Sequence, residues 1–179
     1  MSAPIDTASP SSPQDTVDRI AGLATGSTVA ALRGARAKVA LHTQLSEAAL
    51  FDPSLTALTL RERLYAAWYS AHLANAHTVA ETYRQRLVET DAPSNELAAV
   101  TTGTHGILSR RLAAILDHAR LLTLAPATAH ATGLRTLQEA GLTTPAIVAL
   151  SQLIAFVSYQ LRVVAATRAL QARADREVA

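Results

Sequence analysis

The sequence predicts an all-α protein, and three observations carry that prediction. Apolar residues recur at three- and four-residue intervals along most of the chain, and no segment alternates with the period of two that a strand requires. The chain is rich in alanine and leucine, and its 7 prolines fall between the periodic segments or at their first turn. Serines and threonines stand where those segments begin, as N-caps do. At 179 residues with 49% apolar composition, there is enough chain for one domain with a substantial core. The expected division is a flexible arm over residues 1–14, a single helical domain over 15–172 and a solvated tail over 173–179.

In order, the first helix is expected over residues 16–24, with Val17, Ile20, Ala21 and Leu23 on its apolar face. Gly22 and Gly26 weaken its end, and Ser27 or Thr28 caps the next helix, which breaks near residues 33–36. Residues 37–51 then read as a helix, with Val39, Leu41, Leu45, Ala48 and Ala49 at helical spacing. Asp52-Pro53 ends it, because a residue before proline disfavours the helical region. Thr59-Leu60-Arg61-Glu62 has the form of a capping box. Helix follows to Leu73, with a turn at Ala74-Asn75, and resumes to about Glu89. After a loop at 91–95 and a short helix at 96–100, the polar connector TTGTHG leads to a helix over 109–124 that Pro126 stops. A further helix over 128–140 ends at Gly141, a C′ glycine. The last element, opened by Thr144 and Pro145, is the most apolar in the chain. From Ile147 to Val164 only a strip of Ser151, Ala155, Ser158 and Arg162, flanked by Gln152, Tyr159 and Gln160, interrupts it. Such a helix belongs in a core or a subunit interface. Gln152, Gln160 and Arg162 are costly in lipid and argue against a membrane span.

The composition excludes several functions. With no cysteine, disulfides, thiolate metal sites, cysteine nucleophiles and thiol peroxidase chemistry are impossible. A net charge of +2, with basic residues scattered along the chain, gives no footprint for nucleic acid. Neither a phosphate-binding glycine loop nor a GxSxG elbow is present. The opening MSAPIDTASPSSPQD lacks a secretory pattern, so a cytoplasmic location is expected. No cofactor is implied.

The residues best suited to chemistry lie in the 59–90 segment. At 100° per residue Glu62, Tyr65, Tyr69 and His72 share an arc of roughly 80° on one helix face. His77 and Glu81 follow at i, i+4 spacing. A carboxylate, phenols and imidazoles beside a core can line a pocket, in which a buried Glu62 has a raised pKa and acts as general base with His72, His77 or Glu81. The plainer reading makes Glu62 the partner of Thr59 in the capping box, the aromatic residues packing, and the histidines structural. A metal site is not expected, because the HExxH spacing is absent and two histidines five apart diverge on a helix. His42, His105, His118 and His130 read as isolated surface or helix-end residues. Ser151, Ser158 and Tyr159 are either packing or the opposite wall of the same pocket.

Two stretches, RERLYAAWYSAHLANAHTVAETYRQRL and GLTTPAIVALSQLIAFVSYQLRVVAATRAL, resemble the carboxymuconolactone decarboxylase and AhpD-like (alkylhydroperoxidase D-like) superfamily over roughly residues 17–170. The resemblance implies an all-helical fold built around an antiparallel helix pair, and a homo-oligomer. It further implies either acid–base chemistry on a small lactone or carboxylate, or a non-catalytic partner of a peroxidase-domain protein. Redox members carry a glutamate, a Cys-x-x-Cys pair and a histidine. Placing that glutamate on Glu62 puts Ala74 and His77 at the cysteine positions and Glu81 at the histidine position, so the redox pair is missing. An anionic substrate would need cations, for which Arg61, Arg63 and Arg162 are the candidates.

Overall fold

A computed structural model describes residues 15–178, and the expected arm over 1–14 lies outside the described residues. The described chain is all-helical, with nine α-helices and no strand. They are α1 (Thr16–Ala21), α2 (Thr28–Gly34), α3 (Ala37–Leu50), α4 (Leu60–Leu73), α5 (His77–Val88), α6 (Ser94–Thr102), α7 (Arg110–Leu124), α8 (Ala131–Glu139) and α9 (Thr144–Val178). Short 3₁₀ turns at His105–Ile107 and Pro126–Thr128 flank α7.

Local chemistry explains most of the boundaries. Asp15, Ser27, Thr59 and Ser109 each accept a backbone amide from the first turn of α1, α2, α4 and α7. The capping box at α4 is complete, because the Glu62 side chain returns to the Thr59 amide. Gly141 follows α8 at φ 88°, a conformation in which a Cβ would be strained. The chain turns between α4 and α5 at Asn75, φ 56°. Several boundaries differ from expectation: α1 ends at Ala21 and not at 24, α6 spans Ser94–Thr102 and not 96–100, and α8 begins at Ala131 and not at 128. α9 does not fade into a tail at residue 173 but continues to Val178, with Gln171–Asp175 and Arg173–Glu177 side-chain pairs at i, i+4 along its exposed end.

The core forms where α4 and α9 meet. α4 packs against α5, α7 and α9, and α9 also touches α1, α2, α3 and α8. Nine of the 14 residues of α4 are buried, from Arg63 to Ala71 without a break. α9 contributes Ala146, Ile147, Leu150, Leu153, Ile154, Val157 and Val164. Its length and apolar composition would allow it to cross a membrane, although this surface packs against protein instead. Its outward strip runs through Val148, Gln152, Ala155, Tyr159 and Arg162.

Two polar networks hold these layers in register. Arg63, 2% exposed, donates to the carbonyls of Leu50 (2.6 Å) and Asp52 (2.8 Å), with longer bonds to those of Leu55 and Thr59, so a buried guanidinium ties the 50–59 loop to α4. Tyr83 donates to Gln160 Oε1 at 2.7 Å, and Gln160 in turn approaches Glu47 (3.5 Å), which pairs with Arg86. Arg86 also lies over the Phe51 ring, 4.4 Å from its centroid. Burial pushes the Glu47 carboxyl above its ordinary value despite the Arg86 charge.

α3 is set the other way round. None of its residues is buried. Ala40, Thr43, Gln44, Glu47 and Leu50 are its better-covered positions, whereas Leu41 (51% exposed), Leu45 (54%) and Ala48 face outward.

Candidate functional site

Glu62 is committed to structure on every side. One carboxylate oxygen accepts from the Thr59 amide (2.8 Å) and hydroxyl (3.0 Å); the other accepts from Arg111 Nε at 2.5 Å. Arg111 also donates to the carbonyls of Gly141 (2.6 Å) and Ala57 (2.9 Å), which joins α7 to the starts of α4 and α9. Burial alone would raise the carboxyl pKa. The Arg111 guanidinium and the two Thr59 donors outweigh it and hold the group below its ordinary value. This reverses the shift expected for a general base. Glu62 stays ionised, with both carboxylate oxygens already accepting hydrogen bonds.

The other residues of the 59–90 segment separate rather than converge. Tyr65 is buried and donates to Glu96 Oε2 at 2.9 Å. Burial, together with that carboxylate, pushes its hydroxyl pKa well up. Tyr69, also buried, meets the ring of His105 edge-on at 5.4 Å. His72, His77 and Glu81 are exposed, and Glu81 pairs with Arg84, at 3.5 Å. Tyr159 lies far along the chain, 40% exposed, with its hydroxyl 3.1 Å from Thr43 Oγ1 on α3. It lines the α3–α9 groove, not a wall opposite Glu62. The candidate cations are equally dispersed. Arg61 donates to the Thr90 carbonyl, Arg63 is consumed by the 50–59 loop, and Arg162 is exposed and bonded to the Ser158 carbonyl. Among the described residues no three His, Asp or Glu side chains are placed to hold a metal ion.

A different pair does meet. His118 on α7 is 7% exposed, and its Nε2 lies 3.1 Å from Ser151 Oγ on α9. The expectation that His118 sits at the surface is therefore corrected. Burial lowers its pKa and keeps the imidazole neutral. Ser151 Oγ also lies 2.9 Å from the Ile147 carbonyl of its own helix, to which it donates. With the serine proton so used, His118 carries its proton on Nε2 and donates to Oγ. The pair opens on a half-open cavity of about 400 Å³ between α7, α8 and α9, lined by Leu121, Leu122, Gly133 and Leu134, with His130 among its walls. A second hollow of about 370 Å³ adjoins it through the shared residues Leu134 and Ser151.

Sequence gave one weak signal for this pair. Each partner is a polar residue inside an otherwise apolar stripe, His118 beside Ile115 and Leu122, and Ser151 between Ile147 and Ile154. Separated by 33 residues, they share no local spacing that would join them.

No known family, no curated protein and no solved structure matches this chain. The likeness to the carboxymuconolactone decarboxylase superfamily thus stands on the two quoted stretches alone.

Proposed function

We propose that this chain is a non-catalytic helical subunit that pairs with a second copy of itself through α3. The observation that carries the reading is the exposure of Leu41 and Leu45 on α3, a helix with no buried residue. Exposed apolar surface of this kind is characteristic of a contact site.

The pattern on α3 favours self-pairing. Ala37, Leu41, Leu45 and Ala49 form one i, i+4 ridge, and it reads the same in both directions about Thr43. A two-fold axis at that level sets Leu41 of one copy against Leu45 of the other, with small alanines at both ends, as an isologous contact requires. The charge nearest the ridge is Lys38. The axis would keep the two lysines about 15 Å apart along the helix, beyond a Debye length of about 8 Å, so repulsion is weak. The homo-oligomer implied by the family resemblance agrees with this reading. Acid–base catalysis through Glu62 is disfavoured, since its carboxylate is paired and its pKa depressed.

Sedimentation velocity over a range of concentrations tests the proposal. The wild-type chain should sediment as a dimer, and Leu41→Asp/Leu45→Asp as a monomer with unchanged helical circular dichroism. A wild-type monomer at every concentration, or a double variant that still dimerises, would overturn it.

A further inference from the structure

Away from α3, the polar pair of His118 and Ser151 lies at one side of an apolar cavity. We infer that the space between α7, α8 and α9 is a binding site for a small neutral molecule with an apolar body and one oxygen head group, an alcohol or a ketone. The inference does not rest on the dimer, because none of the residues lining the cavity belongs to α2 or α3.

The size is adequate. The two adjoining hollows, about 400 and 370 Å³, each fall within the roughly 300–1,000 Å³ of small-molecule sites. The lining dictates the chemistry. Leu121, Leu122, Ala129, Ala131 and Leu134 contribute hydrocarbon, and among the described residues no Asp, Glu, Lys or Arg lines either hollow. A charged head group would lose its hydration with no opposite charge to replace it, whereas a neutral one loses far less. In the larger hollow, polar groups that can recognise such a ligand are present at two points. Ser151 Oγ already accepts from His118 and donates to the Ile147 carbonyl, and its proton can turn from that carbonyl to a ligand oxygen. The carbonyl does not depend on it, since a carbonyl inside a helix retains its backbone donor. His130 holds its Nδ1 2.5 Å from the Thr128 carbonyl, so Nδ1 carries the proton and Nε2 is left as an acceptor for a ligand hydroxyl. A buried imidazole–hydroxyl pair beside hydrocarbon walls gives the usual pattern of such sites, a few convergent polar groups in an apolar hollow.

Gly133 provides a clean way to close the site. It lies in α8 without positive φ, and a Cβ there would meet nothing nearer than Leu121 Cδ2 at 3.9 Å. A larger side chain therefore enters the cavity without straining the backbone, and replacing glycine in a helix is favourable in itself.

The test titrates cyclohexanol and cyclohexanone into the full chain and follows the imidazole resonances of His118, assigned by their loss in His118→Gln. Cyclohexanecarboxylate and cyclohexylammonium serve as charged counterparts. Both neutral probes should shift the His118 signals saturably, and the charged pair should not at the same concentrations. Ser151→Ala should weaken binding several-fold, and Gly133→Leu should abolish it with helical circular dichroism retained and an unchanged or higher Tm. No saturable shift in the wild type, equal binding by Gly133→Leu, or stronger binding of a charged probe would each overturn the inference. Sedimentation of the same samples separates this outcome from that of the α3 proposal.

Discussion

α3 and α4 are both 14 residues long and both alanine- and leucine-rich, yet one buries nothing and the other buries nine residues in a row. Their sequences explain the contrast only in part. α4 is buried all round its circumference from Arg63 to Ala71, its large apolar residues on one side and small alanines on the other, so that α5, α7 and α9 can all pack on it. α3 mixes apolar and polar residues round its circumference and buries none of them, while Thr43 and Glu47 reach Tyr159 and Arg86. The lesson is that apolar content alone does not place a helix. The available neighbours do, and α3 has hydrogen-bonding neighbours within the chain and, on our proposal, an apolar neighbour in a second copy.

The largest expected effect breaks the comparison directly. Leu64→Ala, at a 1% exposed position, should cost about 2–5 kcal/mol in urea unfolding. Leu41→Ala, measured where the chain is monomeric, should fall within about 0.5 kcal/mol of wild type. If both variants lose the same stability, α3 is part of the core and its leucines are not an unpartnered face.

Next in size is the Glu62–Arg111 pair, which sharpens the case that α4 uses its carboxylate for structure. Arg111→Met strands that carboxylate and leaves the Gly141 and Ala57 carbonyls without this donor, a loss of about 1–3 kcal/mol. The pH dependence has a definite sign. Because the folded pKa of Glu62 lies below its ordinary value of 4.5, its stabilisation is complete above that value and is lost as pH falls through the folded pKa. The stability gap between wild type and Glu62→Gln should therefore be constant near neutrality and close progressively below about pH 4.5. A gap that widened on acidification would mean that the carboxylate is destabilised, as a general base would be.

The smallest effect belongs to His118. Its folded pKa is lowered from 6.5 by burial, so the unfolded chain takes up a proton first as pH drops. Stability should decline gently below about pH 6.5, and His118→Gln should remove that part of the slope. An unchanged slope in the variant would show that His118 is not buried as a neutral imidazole.

Much of the fold was legible because its signals are local. The Thr59–Glu62 box, the Asp52-Pro53 stop, Pro145 in the first turn of α9 and Gly141 after α8 all act within four residues, a distance over which sequence and geometry correspond. The roles within the 59–90 segment were legible only as alternatives. Capping box and general base use the same glutamate, and the choice fell to Arg111, 49 residues away. His72 lies on the arc predicted for it but beyond the buried run that ends at Ala71, so helical phase placed it with Glu62 while the end of the packing left it in solvent.

By itself, the sequence determined that the protein is helical, where most helices start and stop, that thiol chemistry is impossible, and that the last helix belongs against other protein surface. Local backbone energetics and composition suffice for those statements. Tertiary structure decided which polar groups meet: Arg111 with Glu62, Tyr83 with Gln160 across 77 residues, and His118 with Ser151. It also decided that Leu41 and Leu45 of α3 face outward. Each of these outcomes depends on which surfaces pack together, and a side chain's partner and pKa are set by what the fold brings within about 3 Å, not by its neighbours in the chain.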